Sequence, residues 1–315
     1  MTIHISNCGC ATLPTEIELT RKNVNQPTAV PLILGGHSFI TQLGNDPPAS
    51  AEEQLRIVEA CLELGIGWFD TTYQPERVAL GKALNALGRR NEATILAWNY
   101  FKEFSPGDSV GQAEYYRPQH IEIILEELCA AYVDCLVMVS LDDPEENQRQ
   151  EELLIEWQRK GYVRSLGLWI SDPLLIERYR YQNPFRFAIR PFNTTTQDAP
   201  PIFADCKRSG WETLATSPFV RGWELDRRIA EASSRGRIEA ESLRARLADQ
   251  MLRFALFQDD VDRVIVAMRK VEWVSKNVAS VARGPLTAEE QRSLENSYLR
   301  TPRNRLWELF RLTSR

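Results

Sequence analysis

The sequence predicts one closed barrel of eight βα units. Three observations carry that expectation. Eight short apolar runs recur along the chain, and each is followed by a helical pattern. The runs are mostly continuous rather than alternating, as parallel strands covered on both faces require. No low-complexity linker interrupts the 315 residues. They are therefore read as one barrel over 16–315 behind a flexible tail, 1–15.

The elements follow in order. Residues 16–28 read as a hairpin closing the bottom of the barrel, and 29–35 as the first strand. Ser50 with Glu53 forms a capping box ahead of a helix over 51–64, which Gly65 stops. The second strand, 66–71, leads to a helix over 76–87 ending at Gly88. The third, 94–98, is followed by the long connection 101–116 and a helix over 118–132 with proline in its first turn. Strand 135–140 precedes a helix over 145–160, stopped at Gly161. Strand 165–169 precedes 174–181, and strand 187–191 precedes 200–209. Strand 212–216 is followed by a second long connection, 221–236, and a helix over 238–257. The eighth strand is 263–267, and the last helix begins near Val271.

Composition narrows the function classes. The net charge is −5, with no dominant basic stripe, which argues against nucleic acid as a partner. No apolar run approaches the roughly 20 residues a membrane span needs. The first 25 residues lack the charged and apolar regions of a signal peptide. Cys61, Cys129, Cys135 and Cys206 lie in apolar surroundings and read as core thiols, which fits a reducing cytoplasm. Cys8–Gly9–Cys10, with His4 nearby, fits either a metal or redox pair or a mobile tail. A C-x-C pair supplies only part of the roughly four ligands zinc takes, so no metal is expected.

The most informative stretch is 65–81. There a buried strand ends in Asp70, and Tyr73 stands in the short loop that follows. Carboxyl ends of strands are where α/β proteins keep their chemistry. This stretch resembles the second strand of aldo-keto reductases, D-T-A-x-x-Y-G. Other matches occur in order. Tyr132–Val133–Asp134 resembles the family's Y-V-D, and 161–167 its G-K-V-R-x-I-G. Arg190–Pro191–Phe192–Asn193 stands at its Q-x-x-Y-N, and Ser217–Pro218–Phe219 resembles its S-P-L. The resemblance runs from about Glu16 to Asn277 and implies an aldo-keto-reductase-like TIM barrel.

In that family a nicotinamide hydride reduces a carbonyl and a tyrosine donates the proton. A lysine, paired with an aspartate, lowers the phenol pKa, and a histidine polarises the carbonyl. Asp70 matches the aspartate. Tyr73 is the candidate acid, two residues closer to Asp70 than the pattern has it. Trp98–Asn99 stand at the lysine's T-K pair, so Asn99 takes the lysine's place, and Val139 takes the histidine's. Without a cation a tyrosine titrates near 10, and a neighbouring carboxylate pushes it higher. A positioned general acid is worth roughly 10²–10⁴ in rate. Loss of both groups therefore cripples ordinary carbonyl reduction. On the cofactor side, the resemblance implies contacts to NADP at Ser217, Arg269 and Asn277. Trp169–Ile170 and Arg190 replace the residues that hold the nicotinamide carboxamide, so NADP is expected to fit at its adenine end rather than in the usual nicotinamide pose.

Each remaining candidate has two readings. His37, after the first strand, is an acid/base or a packed imidazole. Asp70 is catalytic or a turn cap. Tyr73 contacts substrate or bridges loop and helix. Asp143 fits a helix N-cap before Pro144, and Asp142 is an acid/base carboxylate, a metal ligand or part of the same cap. Arg190, inside an apolar strand, anchors an anionic substrate or pairs with Asp70. Trp98 and Trp169 wall a flat substrate or pack the core. The tail 302–315 docks on the barrel or meets a membrane or partner. Three functions stay open. One is a divergent enzyme with a rebuilt acid/base site acting on a small, anionic or aromatic molecule. The second is an ordinary NADP(H)-dependent carbonyl oxidoreductase. The third is a non-catalytic barrel that binds a nucleotide or a protein.

Overall fold

A computed structural model describes residues 29–40, 49–101, 112–179, 183–220, 225–226, 229–230 and 240–298. The expected tail, the hairpin 16–28, the Cys8–Cys10 pair, most of both long connections and the tail 302–315 lie outside the described residues. Eight parallel strands close into a barrel in sequence order, β1 pairing with both β2 and β8. They are β1 (Leu32–Leu34), β2 (Trp68–Thr71), β3 (Thr94–Trp98), β4 (Val133–Met138), β5 (Val163–Trp169), β6 (Phe187–Pro191), β7 (Glu212–Thr216) and β8 (Arg263–Val266). The helices described are α1 (Ala51–Glu63), α2 (Gln74–Leu87), α3 (His120–Glu127), α4 (Pro144–Arg159), α5 (Leu174–Arg178), α6 (Ala199–Arg208), α7 (Ala240–Leu256), α8 (Val271–Ala282) and α9 (Ala288–Tyr298). None is long and apolar enough to cross a membrane.

The alternation of side chains along each strand divides the core in two. Leu32, Leu34, Phe69, Ile95, Ala97, Leu136 and Leu168 pack outward against the helices. Ile33, Leu96, Trp98, Cys135, Val137, Ile189, Leu214 and Ile265 fill the barrel interior. Gly167 leaves room there, since a Cβ on it would lie 3.2 Å from Cys135 Sγ and 3.3 Å from Val137 Cγ2. At the amino ends of the strands, Asp134 accepts from Arg90 (2.8 Å) and from the Ile95 N–H (3.0 Å). The Tyr132 ring lies against the Arg90 and Arg164 guanidiniums. The Y-V-D stretch thus ties the bottom of the barrel together.

The expected caps hold. Ser50 and Glu53 bond reciprocally at the start of α1. Asp143 Oδ1 accepts from the Glu145 and Glu146 N–H groups at the start of α4, worth about 1 kcal/mol. Two expectations fail at α3. The helix ends at Glu127 rather than near residue 132, and the chain turns there with Cys129 at φ 49°. Its apolar stripe therefore stops short of Cys129, which is exposed instead of being a core thiol. Cys61, Cys135 and Cys206 are buried as expected.

Candidate active site

Alternation along β3 sends Leu96 and Trp98 to the inside of the barrel, and Tyr100, just past the strand end, packs in the same cluster. The register pairs Asp70 on β2 with Leu96. Trp98, one step further up β3, therefore reaches across to Asp70, and its Nε1–H donates to Asp70 Oδ1 at 2.5 Å. The side-chain donor that Asp70 meets is thus an indole N–H. Asn99, on the other parity, faces away from this contact. It donates to the carbonyls of Glu114 (2.8 Å) and Val139 (3.3 Å) and accepts from the Val139 N–H (3.1 Å). Asn99 fastens the ends of β3 and β4, and the group that meets Asp70 is Trp98.

Asp70 is 6 % exposed. Burial pushes its pKa up to about 7. The Trp98 hydrogen bond pulls against that rise, Glu76 adds to it, and His37 and the Gly36 N–H oppose it. A carboxyl group in this position titrates near neutrality, which is the range in which proton transfer works best.

His37 lies in the short 3-10 turn Gly36–Ser38 that follows β1. Its Nδ1 is 2.8 Å from Oε1 of Glu76. Glu76 is fully buried in the first turn of α2, and its Oε2 accepts from the N–H groups of Thr72 (2.6 Å) and Tyr73 (3.3 Å). Burial works against charge on His37. Glu76 and then Asp70 outweigh it, Arg269 opposes them, and the imidazole pKa ends above its ordinary value.

Tyr73 is 1 % exposed and caps the start of α2. Its ring stacks on His37 (centroids 5.8 Å apart, planes at 22°) and meets Tyr100 edge-on at 5.5 Å. Tyr100 is the less buried of the two phenols, and burial together with Asp70 raises its pKa. His37, Asp70, Tyr73 and Trp98 thus lie together, with Glu76 and Tyr100 beside them. Both additions had a signal. Glu76 stands three residues after Tyr73 in a capping box, and Tyr100 stands two after Trp98, just past the end of β3.

Of the other candidates, Trp169 and Arg269 border this cluster and the rest lie apart from it. Trp169 meets Trp98 edge-on at 5.6 Å, with Val139, just past the end of β4, packed beside them. Arg190 does not pair with Asp70. It donates to Asp198 Oδ2 (2.6 Å) and to the Ile170 and Ser171 carbonyls, joining the loop after β5 to the start of α6. Asn193 Nδ2 donates to the Ser217 carbonyl (3.0 Å), and Ser217 follows β7 at φ 57°. Arg269 donates to the Ile40 carbonyl and stands near His37. Asn277 is buried on α8, and Asp142 is exposed. Among the described residues, no three His, Cys, Asp or Glu side chains could hold a metal ion.

With this geometry in view, three comparisons bear on the chain. A family model described as the aldo/keto reductase family matches residues 31–298. No curated protein matches it. Among solved structures, aldo-keto reductase AKR11C1 from Bacillus halodurans has a TM-score of 0.63 and 21% identity, covering 85% of this chain and 91% of that one. The glycerol dehydrogenase AKR11B4 from Gluconobacter oxydans has a TM-score of 0.64 and 19% identity, covering 89% and 94%. At these identities the likeness is one of fold.

Proposed function

From the premise that this chain belongs to the aldo/keto reductase family, oxidoreductases acting on small molecules, we propose a divergent member whose barrel mouth performs acid/base chemistry on a small carbonyl compound. One observation carries the reading. Asp70 is buried against an indole N–H instead of a cation, with a pKa of about 7, and His37 stands beside it. Two neighbouring groups that exchange protons near neutrality are a general acid and a general base. Asp70 gives its proton to the carbonyl oxygen, His37 removes a proton from the adjacent carbon, and an enol forms. The reverse returns both protons. Tyr100 lines the site as the less buried phenol. Tyr73 supports the imidazole from below.

Family members typically use NAD(P)H, but the residues present do not fit nicotinamide in the family's pose. Buried Ile170 and half-buried Trp169, the latter packed on Trp98, replace the polar pair that holds the carboxamide. Arg190, at the third carboxamide position, is committed to Asp198. No step is therefore drawn through the cofactor.

The test uses a panel of small aldehydes and ketones in D₂O, followed by NMR, with a parallel assay of NADPH oxidation. The expected result is exchange of the hydrogen beside the carbonyl, faster than buffer alone and without NADPH, lost in Asp70→Asn and His37→Gln. NADPH consumption without exchange would return the chain to ordinary carbonyl reduction.

A further inference from the structure

The His37 ring has two nitrogens, and the chemistry depends on which one is free. We propose that Glu76 is a positioning residue that fixes His37 with its proton on Nδ1 and leaves Nε2 as the reacting atom. Four observations converge on this. The Nδ1–Oε1 separation is 2.8 Å. The Glu76 carboxylate is itself immobilised, wholly buried, with its second oxygen held by two backbone N–H groups in the first turn of a 14-residue helix. A helix start favours negative charge at that place. The Tyr73 ring lies nearly parallel to the imidazole and sets its plane. Finally, Gly36 lets the two segments approach. A Cβ there would fall 2.2 Å from Glu76 Oε2 and 2.8 Å from the Asp70 carbonyl oxygen. No side chain other than hydrogen leaves Glu76 where it is.

The burial contrast gives the arrangement its direction. The His37 side chain is 37 % exposed and that of Glu76 is 0 % exposed. The Nδ1 edge is turned into the protein, and the opposite edge is the one a ligand meets. An orienting carboxylate behind a histidine also favours the imidazolium that forms when Nε2 takes a proton. The charged or titratable groups acting on His37 are Glu76 on α2, Asp70 on β2 and Arg269 after β8. Glu76 acts more strongly than Asp70 in the same direction, and Arg269 opposes both.

This inference deepens the reading above and takes its chemical meaning from it, but its test does not depend on turnover. The chain has three histidines, His4, His37 and His120. The ¹⁵N spectrum of imidazole-labelled full-length protein therefore holds few signals, and His37→Gln assigns the one of interest. The wild type is expected to show His37 with Nδ1 protonated and Nε2 bare above its pKa. In Glu76→Gln, whose side chain still accepts the backbone N–H groups, the fixed tautomer gives way to a mixture. The His37 pKa then falls, since Glu76 is the strongest of the groups that raise it. A wild-type ring protonated on Nε2 overturns the proposal without any variant. So does a folded Glu76→Gln protein, checked by its circular dichroism melt, with an unchanged tautomer and pKa. If the tautomer is as stated but no compound exchanges hydrogen, the acid/base reading fails and the role of Glu76 stands.

Discussion

Replacing Asp70 by Asn tests the proton balance on which the site depends. In the folded chain Asp70 titrates near 7, against 3.8 for a free side chain. Between those values the folded protein holds a proton that the unfolded chain releases. The contribution of Asp70 to stability is therefore fully present below 3.8 and is lost as pH rises through 7. A shift of about three units corresponds to about 4 kcal/mol across the whole range. Of that, the interval from pH 5 to pH 8 samples roughly 2–3 kcal/mol. Asn at this position keeps an oxygen for Trp98 but turns an amide toward the Gly36 N–H. That cost is the same at every pH and drops out of a difference. His37 loses an aspartate that raises its pKa, which flattens the variant in the same sense. Urea unfolding of both proteins at pH 5 and pH 8 measures the effect. Wild type should lose roughly 2–3 kcal/mol relative to Asp70→Asn between the two conditions. Parallel pH dependences would mean that Asp70 ionises like any surface carboxylate, and its role as the acid would be refuted.

Three further outcomes follow from the same contacts. Trp98→Phe removes the N–H that holds Asp70 down against its burial, so the Asp70 pKa should rise by about one further unit. The infrared carbonyl band of ¹³C-aspartate protein followed against pH reads this, and a fall would contradict the geometry. Asn99→Ala leaves the Val139 N–H and the Glu114 carbonyl without their side-chain partner, while the Val139 carbonyl keeps Gln150, and should cost about 1–3 kcal/mol in denaturant unfolding. Its effect on hydrogen exchange of a carbonyl substrate should be small, because Asn99 faces the backbone rather than Asp70. Gly36→Ala should destabilise by about 1–3 kcal/mol and lower the His37 pKa, seen in the same ¹⁵N spectra. A variant as stable as wild type, with His37 unchanged, would show that Glu76 has room to move.

Much of the barrel is legible in one dimension. Continuous apolar runs at the spacing of βα units dictate parallel strands, and β3, β6 and β7 fall at the expected residues because burial on both faces leaves a sharp compositional edge. Caps at Ser50 and Asp143 are local chemistry and equally readable. The early end of α3 is not, since it turns on the local backbone at Cys129 rather than on apolar periodicity. At the site, the sequence places Asn99 and Val139 at the positions where the family resemblance implies a lysine and a histidine. It also brought Asp70, Tyr73 and His37 into view. Which of the two neighbouring residues meets Asp70 was decided in three dimensions, because strand register and side-chain alternation place the Trp98 N–H, and not Asn99, against the carboxylate. The Glu76–His37 contact likewise joins residues 39 apart through the closure of β1 on β2 and the bare backbone of Gly36. A chain lists its titratable groups, but only their burial and neighbours set which of them hold a proton near neutrality.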